Sequence, residues 1–175
     1  MMWTLMAVYA KENYSLPENQ YGLLQTTNAA MVVFFQVGMT RITTRYTPLK
    51  VLASGSTIYA FGVGSIALGQ GFWGFWVSYL IVTIGEMMVM PTASTMVANL
   101  APPDKRGRYM SSFSLAQGGS RTVAPVMGGL LNDHIGPKSI WYGGGTIGFI
   151  GAACFALLSN RTKRTKPLSV TINSP

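Results

Sequence analysis

Long apolar stretches alternate along this chain with short polar breaks, most of them basic. About 20 mainly apolar residues are needed to cross the hydrocarbon core of a bilayer as a helix. Five stretches reach that length, at roughly 21–40, 49–70, 72–100, 109–131 and 140–159. Residues 1–10 are apolar but too short to span, so they read either as a disordered start or as the outer end of a helix whose beginning is missing. Lys11 to Gln20, with Pro17, reads as a polar loop. The pattern predicts an all-α fold: a polytopic membrane helix bundle of five full transmembrane helices plus an N-terminal helix stub. Residues 1–159 would form the bundle and 160–175 a polar, disordered tail.

Composition strengthens this reading. Hydrophobic residues make up 49% of the chain and charged residues only 10%, against about a quarter charged in a soluble domain. The mean hydropathy is modest because Ser, Thr, Asn and Gln are scattered within the apolar runs, as expected if helix faces line a polar cavity. The net charge of +8 comes from short clusters rather than an aromatic-interleaved patch, which argues against a nucleic-acid partner. Arg41, Arg45 and Lys50 follow the first span, Lys105, Arg106 and Arg108 the third, and Arg161, Lys163, Arg164 and Lys166 the fifth. Positive charge resists translocation, so both basic loops and the tail are expected in the cytoplasm of a multi-pass protein of the cell membrane, plasma or inner. The opposite side carries only Lys11 and Lys138, and Trp73, Trp76, Trp141 and Tyr142 fall near the outer span ends, where amphipathic rings favour the interface. Residues 1–10 lack the basic region and cleavage site of a signal peptide. Cys154 is the only cysteine and His134 stands beside Asp133 with no second ligand at metal spacing, so neither a disulfide framework, a metal site nor a cofactor is expected.

Two charged residues lie deep within the spans. Glu86 stands fifteen residues before Ala101 and Arg121 fourteen after Gly107, counted from their shared turn. At 1.5 Å per residue both reach roughly 21–23 Å from it. An unpaired charge at the bilayer centre costs on the order of 3 kcal/mol or more, so the two are expected either to pair or to face water. In one reading Glu86 takes up and releases a proton, with Arg121 holding the carboxylate ionised when close; in the other they form a permanent intramembrane ion pair. Pro91 and Pro125 remove backbone donors and predict helix kinks. Gln25, Asn28, Tyr59, Tyr79 and Gln117 are polar or amphipathic groups in apolar spans; they either line a substrate cavity among methionines such as Met87, Met88 and Met90 or serve helix packing. Gly144, Gly148 and Ala152 repeat small residues every fourth position, which suits close helix contact. No Ser/His or paired-carboxylate set occurs within the spans, so an enzyme is not expected.

Several of these motifs together resemble a known family. Gly85-Glu86, Pro91 five residues later, and the turn Leu100-Ala101-Pro102 followed by Arg106-Gly107-Arg108-Tyr109-Met110 are similar to helix ten, the next cytoplasmic loop and the start of helix eleven in the major facilitator superfamily, multidrug-efflux branch. The resemblance covers nearly the whole chain, from the end of helix seven to the tail, and implies half of a twelve-helix facilitator fold. Gly38, Arg41 and Arg45 then sit where the family carries Gly-x-x-x-Asp-Arg-x-Gly-Arg, although no Asp is present here. Asn28 and Gln36 match its Asn-then-Gln pattern along helix eight. The resemblance implies secondary active transport by alternating access, with proton-coupled efflux of drugs or other small molecules. The implied partners are the bilayer, a small-molecule substrate, protons and a missing N-terminal half. The alternative is a non-transporting structural or regulatory membrane protein that packs against another transporter.

Overall fold

The structure is a computed structural model that describes residues 2–164, with side chains for 5–161. These residues form six α-helices and one 3-10 turn, with no strand among them: α1 (Met2–Tyr14), α2 (Glu18–Thr43), α3 (Pro48–Ile66), α4 (Gly71–Leu100), the turn Pro103–Lys105, α5 (Arg106–His134) and α6 (Ser139–Arg164). The all-α bundle expected from the sequence is therefore present. The tail expectation for 160–175 falls largely outside the described residues.

Helix boundaries follow local chemistry. Pro17 holds the extended backbone that leads into α2, and Pro48 opens α3 at a position where a missing N–H costs nothing. Arg106 Nε donates to Ala98 O at 3.2 Å, occupying one of the carbonyls left without a partner at the end of α4. Gly136, at φ 124, turns the chain between α5 and α6, where Ser139 Oγ donates to Leu131 O at 2.8 Å and to Gly136 O at 2.6 Å.

Among the described residues, α3, α4 and the Ser139–Arg161 part of α6 are long and apolar enough to cross a membrane. Helices α2, with 26 residues, and α5, with 29, have the length but a more polar composition. Much of the outer surface is apolar, including Val33, Phe34, Phe35 and Leu115, as expected of a bundle whose surroundings are lipid tails.

Helix α3 is the centre of the packing and meets both α4 and α6. Small residues make that possible. A methyl group added at Gly62 of α3 would lie 2.7 Å from Val82 N, one at Gly85 of α4 would lie 2.6 Å from Tyr59 N, and one at Gly148 of α6 would lie 2.8 Å from Ala60 Cβ. The backbones thus touch along two seams that only glycine permits. In lipid, where burial of apolar surface between helices supplies little drive, such close van der Waals contact is a main source of cohesion. The Gly144/Gly148/Ala152 repeat belongs to this packing, with Ala152 buried.

The structure corrects the reading of the chain's start. Instead of a loop over 11–20, α1 continues to Tyr14, only Ser15, Leu16 and Pro17 are irregular, and α2 begins at Glu18. Helix α1 persists because its side chains dock. Met6, Tyr9 and Ala10 are buried in one cluster with Leu24, Ile66, Phe75 and Trp141, and Tyr9 meets Phe75 and Trp141 edge to face at 6.0 and 5.3 Å. Trp141, near the start of α6, is 2% exposed within this cluster. Helix α5 is the opposite case: Gly128 is its only buried residue.

Candidate functional site

The polar groups inside the bundle do not scatter. They gather between α2 and α4, which run side by side. Trp76 Nε1 donates to Thr27 Oγ1 at 3.2 Å. Two turns further along α4, Asn28 Nδ2 donates to Thr83 Oγ1 at 2.8 Å and reaches Glu86 Oε2 at 3.4 Å. Asn28 and Thr83 are buried, and Glu86 is half-buried. Thr83 Oγ1 in turn donates to Tyr79 O at 2.8 Å, so its position is fixed by its own helix.

A second link follows from Pro91. Proline has no N–H, so the carbonyl four residues earlier, that of Met87, has no helical partner at that place. Gln36 Nε2 of α2 donates to this oxygen at 3.1 Å and also to Thr40 Oγ1 at 3.1 Å. Helix α4 stays continuous through Pro91 because a neighbouring helix supplies the missing donor, which is how prolines are tolerated within membrane helices. Helix α5 is likewise continuous through Pro125.

Beyond Gln36 the two helices part around a cleft of about 210 Å³. Thr40, Thr43 and Thr44 of α2 face Thr92, Thr95 and Asn99 of α4 across it. The exposed Arg41, Arg45 and Lys50 stand at the same end of the bundle.

Glu86 and Arg121 are not paired in this structure. The ion-pair geometry found among the described residues is Lys11 to Glu18 at 3.2 Å, on the surface. Glu86 looks instead toward α2 and the amide of Asn28, while Arg121 is exposed on the loosely packed α5. Equal depth from a shared turn fixes height along a helix and leaves the face undetermined. The groups around the carboxylate, Asn28, Thr83 and Tyr59, bear no formal charge.

The remaining candidates separate clearly. Gln25 Nε2 donates to Tyr21 Oη within α2 at 2.5 Å. Tyr79 is 1% exposed inside the apolar cluster, and the backbone of Tyr59 is covered by Gly85. Gln117 of α5 points its amide at Met90 Sδ of α4, 3.8 Å away. Gly38, Arg41, Arg45, Gly107 and Arg108 are exposed on the basic-loop side, and Arg106 caps α4. Sequence reasoning missed Thr83, Thr92 and Thr95. For Thr92 and Thr95 the available signal was spacing: Gln36, Thr40 and Thr43 share one face of α2, and Thr92, Thr95 and Asn99 one face of α4.

The Major Facilitator Superfamily pattern matches residues 1–174. The MFS-type transporter YttB of Bacillus subtilis (strain 168) is 26% identical over 94% of this chain and 42% of its own length. The Na(+), Li(+), K(+)/H(+) antiporter of Planococcus maritimus is 26% identical over 89% of this chain and 35% of its own. Multidrug resistance protein MdtH of Photorhabdus laumondii is 24% identical over 74% and 35% respectively. The chain thus spans less than half the length of these relatives. No solved structure matches it significantly. With the family pattern running through nearly its entire length, the chain belongs to the major facilitator superfamily of multi-pass membrane proteins, which points to a transporter rather than an enzyme.

Proposed function

We propose that this chain is the C-terminal half of a proton-coupled efflux transporter of the multidrug branch, working by alternating access, with Glu86 as the group that takes up and releases the proton. The observation that carries the reading is the placement of Glu86. It is a carboxylate in the middle of an apolar helix, held by a neutral amide at 3.4 Å and with no basic side chain within ion-pair distance among the described residues. An uncompensated charge in the bilayer core costs on the order of 3 kcal/mol, and a single contact as long as 3.4 Å offsets only part of that. Such a group gains from accepting a proton or a cation. The antiporter and multidrug names among the relatives support the same direction.

Asn28 positions the carboxylate, and Gln117 and Met90 supply adaptable surface for a small-molecule substrate between α4 and α5. Arg121, on the exposed face of α5, is available to a neighbouring bundle, the N-terminal half. The basic loops and the tail lie on the cytoplasmic side of the cell membrane.

The test is efflux of a lipophilic cationic dye from cells expressing the gene that carries this chain, followed across external pH. Glu86→Gln is expected to abolish pH-driven efflux at unchanged membrane level. Unchanged efflux contradicts the coupling role. A protein that packs against another transporter without transporting would give no efflux in either form, and would instead alter efflux by its partner.

A further inference from the structure

We propose that the threonine cleft between α2 and α4 is a hydrated vestibule through which Glu86 exchanges protons with water on the basic-loop side; this rests on Glu86 being the proton site. Three observations converge. The cleft has a volume of about 210 Å³, well above the roughly 30 Å³ share of one liquid water. Its walls carry hydroxyl and amide groups from two helices, and those of Thr92, Thr95 and Asn99 make no hydrogen bond among the described residues. Tyr46, Pro48, Pro91 and Met96 complete the lining, and the unpartnered hydroxyl and amide groups among them are what would let a cleft of this size hold water where a wholly apolar one stays dry.

The third observation is where the cleft leads. Its inner end is marked by Thr40 and Pro91. From there Gln36 bridges Thr40 to Met87 O, the carbonyl next in sequence to Glu86. Pro91 lies five positions beyond Glu86 in α4, a rise of about 8 Å. Gln36 fills that interval with an amide instead of an apolar side chain, and Pro91 leaves a backbone carbonyl turned toward it. A short file of water along this wall can pass a proton inward. The carboxylate of Glu86 then becomes a neutral carboxyl and the hydronium that delivered the proton becomes water. The reverse step releases it.

Cysteine accessibility tests the vestibule without requiring transport: Cys154 is the only cysteine in this chain, and a background with Cys154→Ser and any cysteine outside the chain replaced leaves a single reporter. Thr92→Cys stands about 12 Å from the α4 end and Phe34→Cys about 14 Å from the corresponding end of α2, at 1.5 Å per residue. Phe34 is 77% exposed on the outer, apolar face of its helix. A small, charged, membrane-impermeant thiol reagent applied from the basic-loop side is expected to modify Thr92→Cys and to leave Phe34→Cys unmodified. Equal rates, or no reaction at Thr92→Cys, overturn the proposal, and Thr95→Cys provides the same reading if Thr92→Cys fails to insert. In a Glu86→Gln background the labelling is expected to be unchanged, so loss of the coupling role and loss of the vestibule are separate results. Hydrogen–deuterium exchange of the Glu86 carboxyl, taken as the infrared difference between wild type and Glu86→Gln, is expected to slow several-fold when Thr92→Phe fills the cleft. An unchanged rate contradicts the link to Glu86.

Discussion

The two interfaces made by α4 are built on opposite principles. Toward α3, Gly85, Gly55 and Gly62 bring the backbones into direct contact and leave no room for a methyl group. Toward α2, the contact is a row of hydrogen bonds, Thr27 to Trp76, Asn28 to Thr83 and Glu86, Gln36 to Met87 O, ending in a cleft. A glycine seam has one close-packed arrangement and loses its dispersion contacts as soon as it opens. A hydrogen-bonded seam can exchange partners with water or with its own donors at small net cost, since each bond contributes about 1 kcal/mol. The α3 side is built as a scaffold, and under the proposed function the α2 side is where a proton and a change of shape would be accommodated.

The largest expected effect comes from spoiling the scaffold. In Gly85→Leu the new Cβ would lie 2.6 Å from the Tyr59 backbone N, and overpacking of this kind costs about 3 kcal/mol or more when backbone rather than a flexible side chain must yield. The melting temperature in detergent should drop sharply. A variant as stable as the wild type would remove the distinction between the two seams.

A smaller effect is expected from the polar seam. Gln36→Leu leaves the Met87 carbonyl without a donor, at a cost of about 1–2 kcal/mol. Pro91→Ala restores the N–H that Met87 O lacks, so in that background Gln36→Leu should cost much less. A double-mutant cycle reads the coupling directly; additive effects would mean that Gln36 does not serve the proline. The smallest effect is predicted for Arg121→Gln, within about 0.5 kcal/mol, because Arg121 is exposed and makes no ion pair with Glu86 here. A large loss of stability would restore the pairing.

Much of the fold was legible in the pattern of apolar runs, because helices in lipid must satisfy their own backbone and so declare themselves by length. A helix stub at the start was legible too, but neither its continuation to Tyr14 nor its docking was, since thirteen residues are too few to span and what holds α1 is contact with Phe75 and Trp141, far away in sequence. The site was half legible. Glu86, Asn28 and Pro91 stand out as polar or helix-breaking residues within apolar runs. That Gln36 would answer the carbonyl freed by Pro91 depends on the rotation of α2 about its axis, which a distance along the chain does not specify. The same missing angle explains why Glu86 and Arg121, equal in depth, do not meet.

Proton release on substrate binding tests the central claim most directly. The purified protein carrying this chain, in weakly buffered detergent with a pH-sensitive dye, is titrated with a transported cation, wild type beside Glu86→Gln. The account predicts that the wild type releases protons as the substrate binds and that Glu86→Gln binds the substrate without releasing any. Equal release from both proteins would show that the proton is carried elsewhere and that the α2–α4 seam is structural.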